Sequence, residues 1–67
     1  MIKIAYDDLA QLNAKTITEV SNETGISRAT LTNLSRNRAK GLQFKTIDRL
    51  CKYFNCDVGD LIKFKND

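Results

Sequence analysis

Apolar residues recur along most of this chain at helical spacing, in a series of short segments. Ala5, Leu9 and Leu12 share one face of a first helix, roughly residues 5–13, with Tyr6 flanking it. Ile17, Val20, Ser21 and Thr24 form the stripe of a second helix, roughly 17–24. Thr16 stands in front of it as an N-cap, and Glu19, three positions on, completes a capping box. Gly25 follows at once, where a helix stops in a left-handed residue. Ser27 caps a third helix, roughly 28–37, from which Leu31 and Leu34 point inward. Ile47, Leu50, Cys51 and Phe54 make a narrow stripe on a fourth helix near 44–54. Asp57 opens a short fifth helix carrying Val58, Leu61 and Ile62.

Only the ends read differently. Ile2-Lys3-Ile4 and Ile62-Lys63-Phe64-Lys65 alternate with period two. These segments either pair as a small two-stranded ribbon closing the bundle or fray as tails. The chain has no proline, three glycines and no repeat. The expected fold class is therefore all-α, a single five-helix domain over residues 1–67.

Composition narrows the functions open to such a domain. A chain of 67 residues buries only about 60% of its unfolded surface, so a large enzyme cleft beside the core is not expected. Its 42% hydrophobic and 28% charged content excludes a disordered tail or a collagen-like fibre. No apolar run approaches the roughly 20 residues that span a bilayer, and Asp7 and Asp8 interrupt any leader-like start. A cytoplasmic protein without a membrane partner is expected. Histidine is absent, which removes the commonest general base and the commonest metal ligand. Cys51 and Cys56 cannot close a zinc site alone. By count they could form a disulfide, but a cytoplasmic setting and apolar neighbours point to two reduced core thiols. With no nucleophile–base pair, no enzyme activity is expected, nor any metal, cofactor or small-molecule ligand.

Charge is unevenly placed. The net charge is +3, but residues 1–24 sum to −2, residues 25–54 to +6 and residues 55–67 to −1. A basic middle between acidic ends suits a polyanionic partner.

The basic segment coincides with a more specific pattern. Two helices joined by a tight glycine turn, the second rich in Arg, Thr and Asn, describe a helix-turn-helix within the window from Ile17 to Arg36. The helices must cross closely, and Ser21 supplies a small residue at the crossing. The turn must bend sharply, and Gly25 tolerates positive φ. Ile26 tucks under the turn, while Val20, Leu31 and Leu34 fill the inner seam.

The stretch Glu23-Thr24-Gly25-Ile26-Ser27-Arg28-Ala29-Thr30-Leu31 resembles the core of the Xre/Cro-type, lambda-repressor-like DNA-binding domains. The likeness continues through Phe44 to Lys52 and from Cys56 to Ile62, covering about residues 5 to 62. It is similar in particular to the compact subgroup in which the five-helix domain is the whole protein. The resemblance implies a bacterial or phage transcriptional regulator. The family often places a glutamine at the start of the second helix, where it clamps the recognition helix to phosphate; Ile17 stands there instead.

Helical geometry indicates which residues of the third helix face outward. At about 100° per residue with Leu31 at zero, the buried centre lies near 330°, and Thr32, Arg36, Ala29 and Asn33 fall at about 100°, 140°, 160° and 200°. With Arg28 at the leading turn, these are the side chains a major groove would meet. Asn33 can pair with adenine, Arg28 with guanine, and Ala29 or Thr32 can touch a thymine methyl. The phosphate-binding candidates are Thr16 and Ser27 at helix starts, Arg36, Arg38 and Lys40 in the loop that Gly41 ends, and Lys45 and Thr46 at the start of the fourth helix. Arg49 and Lys52 lie further along and are left as solvated.

Two readings follow. The first is a sequence-specific regulator of transcription bound to double-stranded DNA, acting by occlusion or recruitment. One such module buries about 600–1,000 Å² against DNA, so a homodimer is a natural form. The second is a protein-binding adaptor, modulator or antitoxin-like inhibitor built on the same scaffold.

Overall fold

The structure is a computed structural model that describes residues 1–66; Asp67, the last residue of the expected domain, lies outside them. Along the chain come strand β1 (Ile2–Ile4), helices α1 (Tyr6–Leu12), α2 (Ile17–Thr24), α3 (Arg28–Ser35), α4 (Phe44–Phe54) and α5 (Val58–Leu61), and strand β2 (Ile62–Phe64).

Local chemistry sets most helix starts. The Thr16 hydroxyl accepts the Glu19 amide at 3.1 Å while the Glu19 carboxylate accepts the Thr16 amide at 3.2 Å, a complete capping box for α2. Ser27 accepts the Thr30 amide at 3.2 Å and begins α3. The Asp57 amide donates to the Asp60 carboxylate at 3.1 Å at the head of α5.

The helix ends follow one rule. Gly25 (φ 78°) stops α2, and its amide donates to the Ser21 carbonyl at 2.9 Å. Ala14 (φ 53°), Asn37 (φ 55°) and Asn55 (φ 53°) adopt the same left-handed conformation after α1, α3 and α4. Each completes a Schellman cap, in which the following amide reaches back five residues: Lys15 to Ala10 (2.9 Å), Arg38 to Asn33 (2.8 Å) and Cys56 to Cys51 (2.9 Å). Asparagine bears this conformation at modest cost, whereas alanine has no side chain to compensate for it.

The termini do pair. β1 and β2 are antiparallel in the register Ile2↔Phe64, Lys3↔Lys63 and Ile4↔Ile62. Ala5 and Lys65 extend the ladder through bonds to the Leu61 and Met1 carbonyls at 2.7 and 2.8 Å. The chain is thus not purely helical: five helices are joined by a two-stranded ribbon whose Ile4 and Ile62 pack on the core.

That core is a single cluster. Val20, Leu31, Leu34, Leu50 and Leu61 expose nothing and Tyr6 only 1%, with Ala10, Ile26 and Phe54 completing it. Phe54 meets Tyr6 and Tyr53 edge to face, at centroid distances of 6.1 and 5.1 Å.

Four expectations need correcting. α1 begins at Tyr6, one residue late, because the Ala5 amide is drawn into the ribbon. Its buried face is then Tyr6 and Ala10 with Leu9 half-buried, and Leu12 is 83% exposed. α3 ends at Ser35, because left-handed Asn37 closes the helix before residue 37. Of the two places read for Ile62 the strand holds, so it opens β2 instead of ending α5, and Val58 is 52% exposed at the open end of α5. Cys51 and Cys56 are half-buried free thiols packed on the rim of the core rather than inside it.

Two substitutions test this account. Leu50→Ala removes side-chain volume from a fully buried site and should cost about 2–5 kcal/mol in denaturant unfolding. Ala14→Gly relieves the left-handed strain and should raise stability by about 0.5–1 kcal/mol in the same assay.

Candidate nucleic-acid interface

The turn between α2 and α3 is held from within. The Ser21 hydroxyl donates to the Ile26 carbonyl at 2.7 Å, the Thr24 hydroxyl donates to the Val20 carbonyl at 2.6 Å and also accepts the Ile26 amide at 3.2 Å. Buried Ile26 anchors the turn below. A Cβ on Gly25 would lie 3.8 Å from the Arg49 guanidinium, an ordinary contact, so backbone conformation rather than space requires glycine. Ile17 is half-buried and packs on the core, which gives an apolar residue a reason to open α2.

Leu31 and Leu34 point α3 inward, and its other side faces solvent. Arg28, Ala29, Asn33 and Arg36 are exposed and Thr32 is half-buried. The Schellman cap after α3 folds Arg38 back over Asn33. Asn33, Arg38 and Lys40 consequently line one groove of about 400 Å³ with Leu34 and Leu42 among its other walls. The end of α3 is also fixed from behind: the Ser35 hydroxyl donates to Asp7 at 2.6 Å, and the Asn37 side chain accepts the Ile4 amide at 3.1 Å.

The remaining phosphate candidates differ in what is free. Ser27 uses its hydroxyl on the Thr30 amide and the Thr30 hydroxyl. Thr16 is bound to the Glu19 carboxylate, which puts a negative charge at the start of α2. At α4, Gln43 makes no side-chain cap and the Thr46 amide donates to the Gln43 carbonyl at 3.0 Å, which leaves the Phe44 and Lys45 amides at the helix start, beside exposed Lys45 and half-buried Thr46. These sites were placed at helix starts by sequence, but their different occupancy was not legible there.

Among the described residues two ion pairs form, Lys15–Glu23 at 3.6 Å and Lys52–Asp48 at 3.3 Å. Arg28, Arg36, Arg38, Lys40 and Lys45 take part in neither, so no ion pair among the described residues neutralises their charge. Arg49, left as solvated by sequence, is half-buried beside the Gly25 turn, and sequence reading passed over Asn37 between α3 and β1. An asparagine two positions beyond a helical stripe was the available signal for the second.

On the far side of α2, the Tyr53 hydroxyl donates to the Glu23 carboxylate at 2.6 Å, and the Lys15 ammonium sits 5.8 Å from the Tyr53 ring centroid. This knot ties α2 to α4 and to the segment after α1.

Two short helices crossing through a left-handed glycine, the second turning a polar face outward, define a helix-turn-helix domain. The chain belongs to the Cro/C1-type HTH DNA-binding domain family, whose profile matches residues 7–67. It is 30% identical over 66 residues to the uncharacterized HTH-type transcriptional regulator YozG of Bacillus subtilis (strain 168), covering 98% of this chain and 79% of that protein. Among the described residues, no helix is long and apolar enough to cross a membrane, and no group of three or more His, Cys, Asp or Glu could hold a metal ion.

The knot makes a pH prediction. The Tyr53 hydroxyl, aided by the Lys15 charge, holds the Glu23 carboxyl below its ordinary value of 4.5. A carboxyl depressed in the folded state contributes stability that is present above its unfolded value and lost as pH falls through the folded one. Wild type should therefore lose melting temperature below pH 4.5 more steeply than Glu23→Gln, as a series of thermal melts would record.

Proposed function

We propose that this protein is a sequence-specific DNA-binding regulator of transcription of bacterial or phage type, a lambda-repressor-like bundle that presents α3 to the major groove. The observation that carries the reading is the outward face of α3, polar and exposed, flanked by cations with no acidic partner among the described residues. Asn33 and Arg28 read base edges, while Ala29 and Thr32 touch thymine methyls. Arg36, Arg38 and Lys40 bind phosphates beside the groove, and Lys45 and Thr46 bind one at the open start of α4. The backbone amide of Ser27 adds a weaker phosphate contact, its hydroxyl being engaged in capping, whereas Thr16 makes one only by releasing the Glu19 carboxylate that holds its amide and hydroxyl. The Bacillus relative, an HTH-type transcriptional regulator, supports transcription as the process served. The protein works in the cytoplasm by binding alone, without catalysis or cofactor. Two copies on half-sites about 34 Å apart raise the affinity that one small module lacks.

Selection of a preferred duplex from random sequences, followed by titration of variants, tests the proposal. Asn33→Ala should cost about 1–3 kcal/mol on the selected site and leave non-specific affinity nearly unchanged. Lys40→Ala or Arg38→Ala should weaken binding to all duplexes alike and lower the slope of log affinity against log salt by about 0.9. A protein-binding adaptor would select no sequence and ignore all three substitutions.

A further inference from the structure

The DNA-facing surface makes no use of the two cysteines, which the fold brings together on the opposite end of α4. Cys51 lies in the last turn of that helix and Cys56 just beyond its left-handed Asn55. The cap joins them directly: the Cys56 amide donates to the Cys51 carbonyl at 2.9 Å, and the Asn55 amide to the Lys52 carbonyl at 3.3 Å. In this motif the side chains of the two residues so bonded meet over the helix end. Both thiols are free and half-buried. A hollow of about 200 Å³ lined by Asn55, Cys56, Asp57 and Asp60 opens to solvent at Cys56. Burial first, then Cys51, Asp60 and Asp57, pushes the Cys56 thiol up, so this group rests as a thiol at neutral pH.

We infer that Cys51 and Cys56 form a reversible dithiol–disulfide site, closed within one chain by exchange with small disulfides. The thiolate of one cysteine attacks a sulfur of the reagent R–S–S–R, forming Cys–S–S–R and expelling RS⁻. The second cysteine gives its proton to that leaving group and attacks the cysteine sulfur of the mixed disulfide. The Cys51–Cys56 bond forms as the second RS⁻ leaves and takes up a proton from water. Two electrons pass from the protein thiols to the reagent, which ends as two RSH. The Schellman cap holds the two sulfurs within reach before reaction, and partial burial hinders a second protein molecule from intercepting the mixed disulfide.

The test treats the folded full-length chain with excess 2-hydroxyethyl disulfide, a neutral probe chosen because Asp57 and Asp60 flank the opening. Samples are acid-quenched, weighed by mass spectrometry and titrated for free thiols. The wild type should lose both thiols, fall in mass by two hydrogens, stay monomeric on a non-reducing gel and recover with dithiothreitol. Cys51→Ser and Cys56→Ser, checked for folding by circular dichroism, should each stop at one mixed disulfide. Ring closure in the wild type should be faster in buffer than in concentrated urea, because the cap pre-aligns the sulfurs. Mixed disulfides persisting on both cysteines, unreactive thiols, covalent dimers, or a closure rate equal in buffer and urea would each overturn the proposal. The wild-type measurements decide the matter even if a serine variant fails to fold.

Discussion

None of the five helices could persist alone. They run from 4 to 11 residues, below the roughly 12–15 at which even favourable isolated helices become marginal in water. Their shared possession is one cluster of fully buried side chains, with Val20 from α2, Leu31 and Leu34 from α3, Leu50 from α4 and Leu61 from α5. Helicity and tertiary packing therefore stand or fall together. The orientation of α3, on which the proposed DNA-reading surface rests, depends on residues buried away from that surface. Leu50 and Leu61 share one core with Leu31 and Leu34 and so hold α3 in place, and the ribbon does so through Ile4 and Asn37.

The second determinant is how helices stop. Four in a row end in a left-handed residue, and each stop aims the following segment. After α2 it throws α3 across its partner. After α3 it brings the Arg38 backbone onto Asn33, so the proposed phosphate-binding cation and the proposed base-reading amide share one groove. The polar groups of α3 thereby gain a basic flank that no ion pair among the described residues neutralises. The start of α4 complements this, since Gln43 leaves its amides uncapped where α2 spends its own on Glu19.

Much of this was legible in the sequence because it depends on local chemistry. The boundaries of α2 and α4 follow directly from Thr16, Gly25 and the Ile47–Leu50–Cys51–Phe54 stripe, and the outward face of α3 follows from the position of Leu31. What escaped depends on contacts remote in the chain. Tyr6 rather than Leu12 is buried because the ribbon claims Ala5 and resets the phase of α1. Periodicity within one short helix cannot register a bond to residue 61. Ile62 could be read both as the end of α5 and as the start of a strand for the same reason, its partner Ile4 lying at the other terminus. Ala14 gave no warning of a left-handed turn, since alanine is the least expected residue there. Free helix starts could not be told from occupied ones until Glu19 and Thr30 were seen in place.

The central claim is spatial: DNA meets the outer face of α3, its basic loop and the head of α4. Amide chemical shifts followed by nuclear magnetic resonance during titration with duplex DNA test it most directly. The account predicts that the largest changes fall on residues 28–29, 32–33, 36–40 and 44–46, with β1, β2 and α5 nearly unmoved. Changes centred on the ribbon or on α5, with residues 28–33 undisturbed, would contradict it.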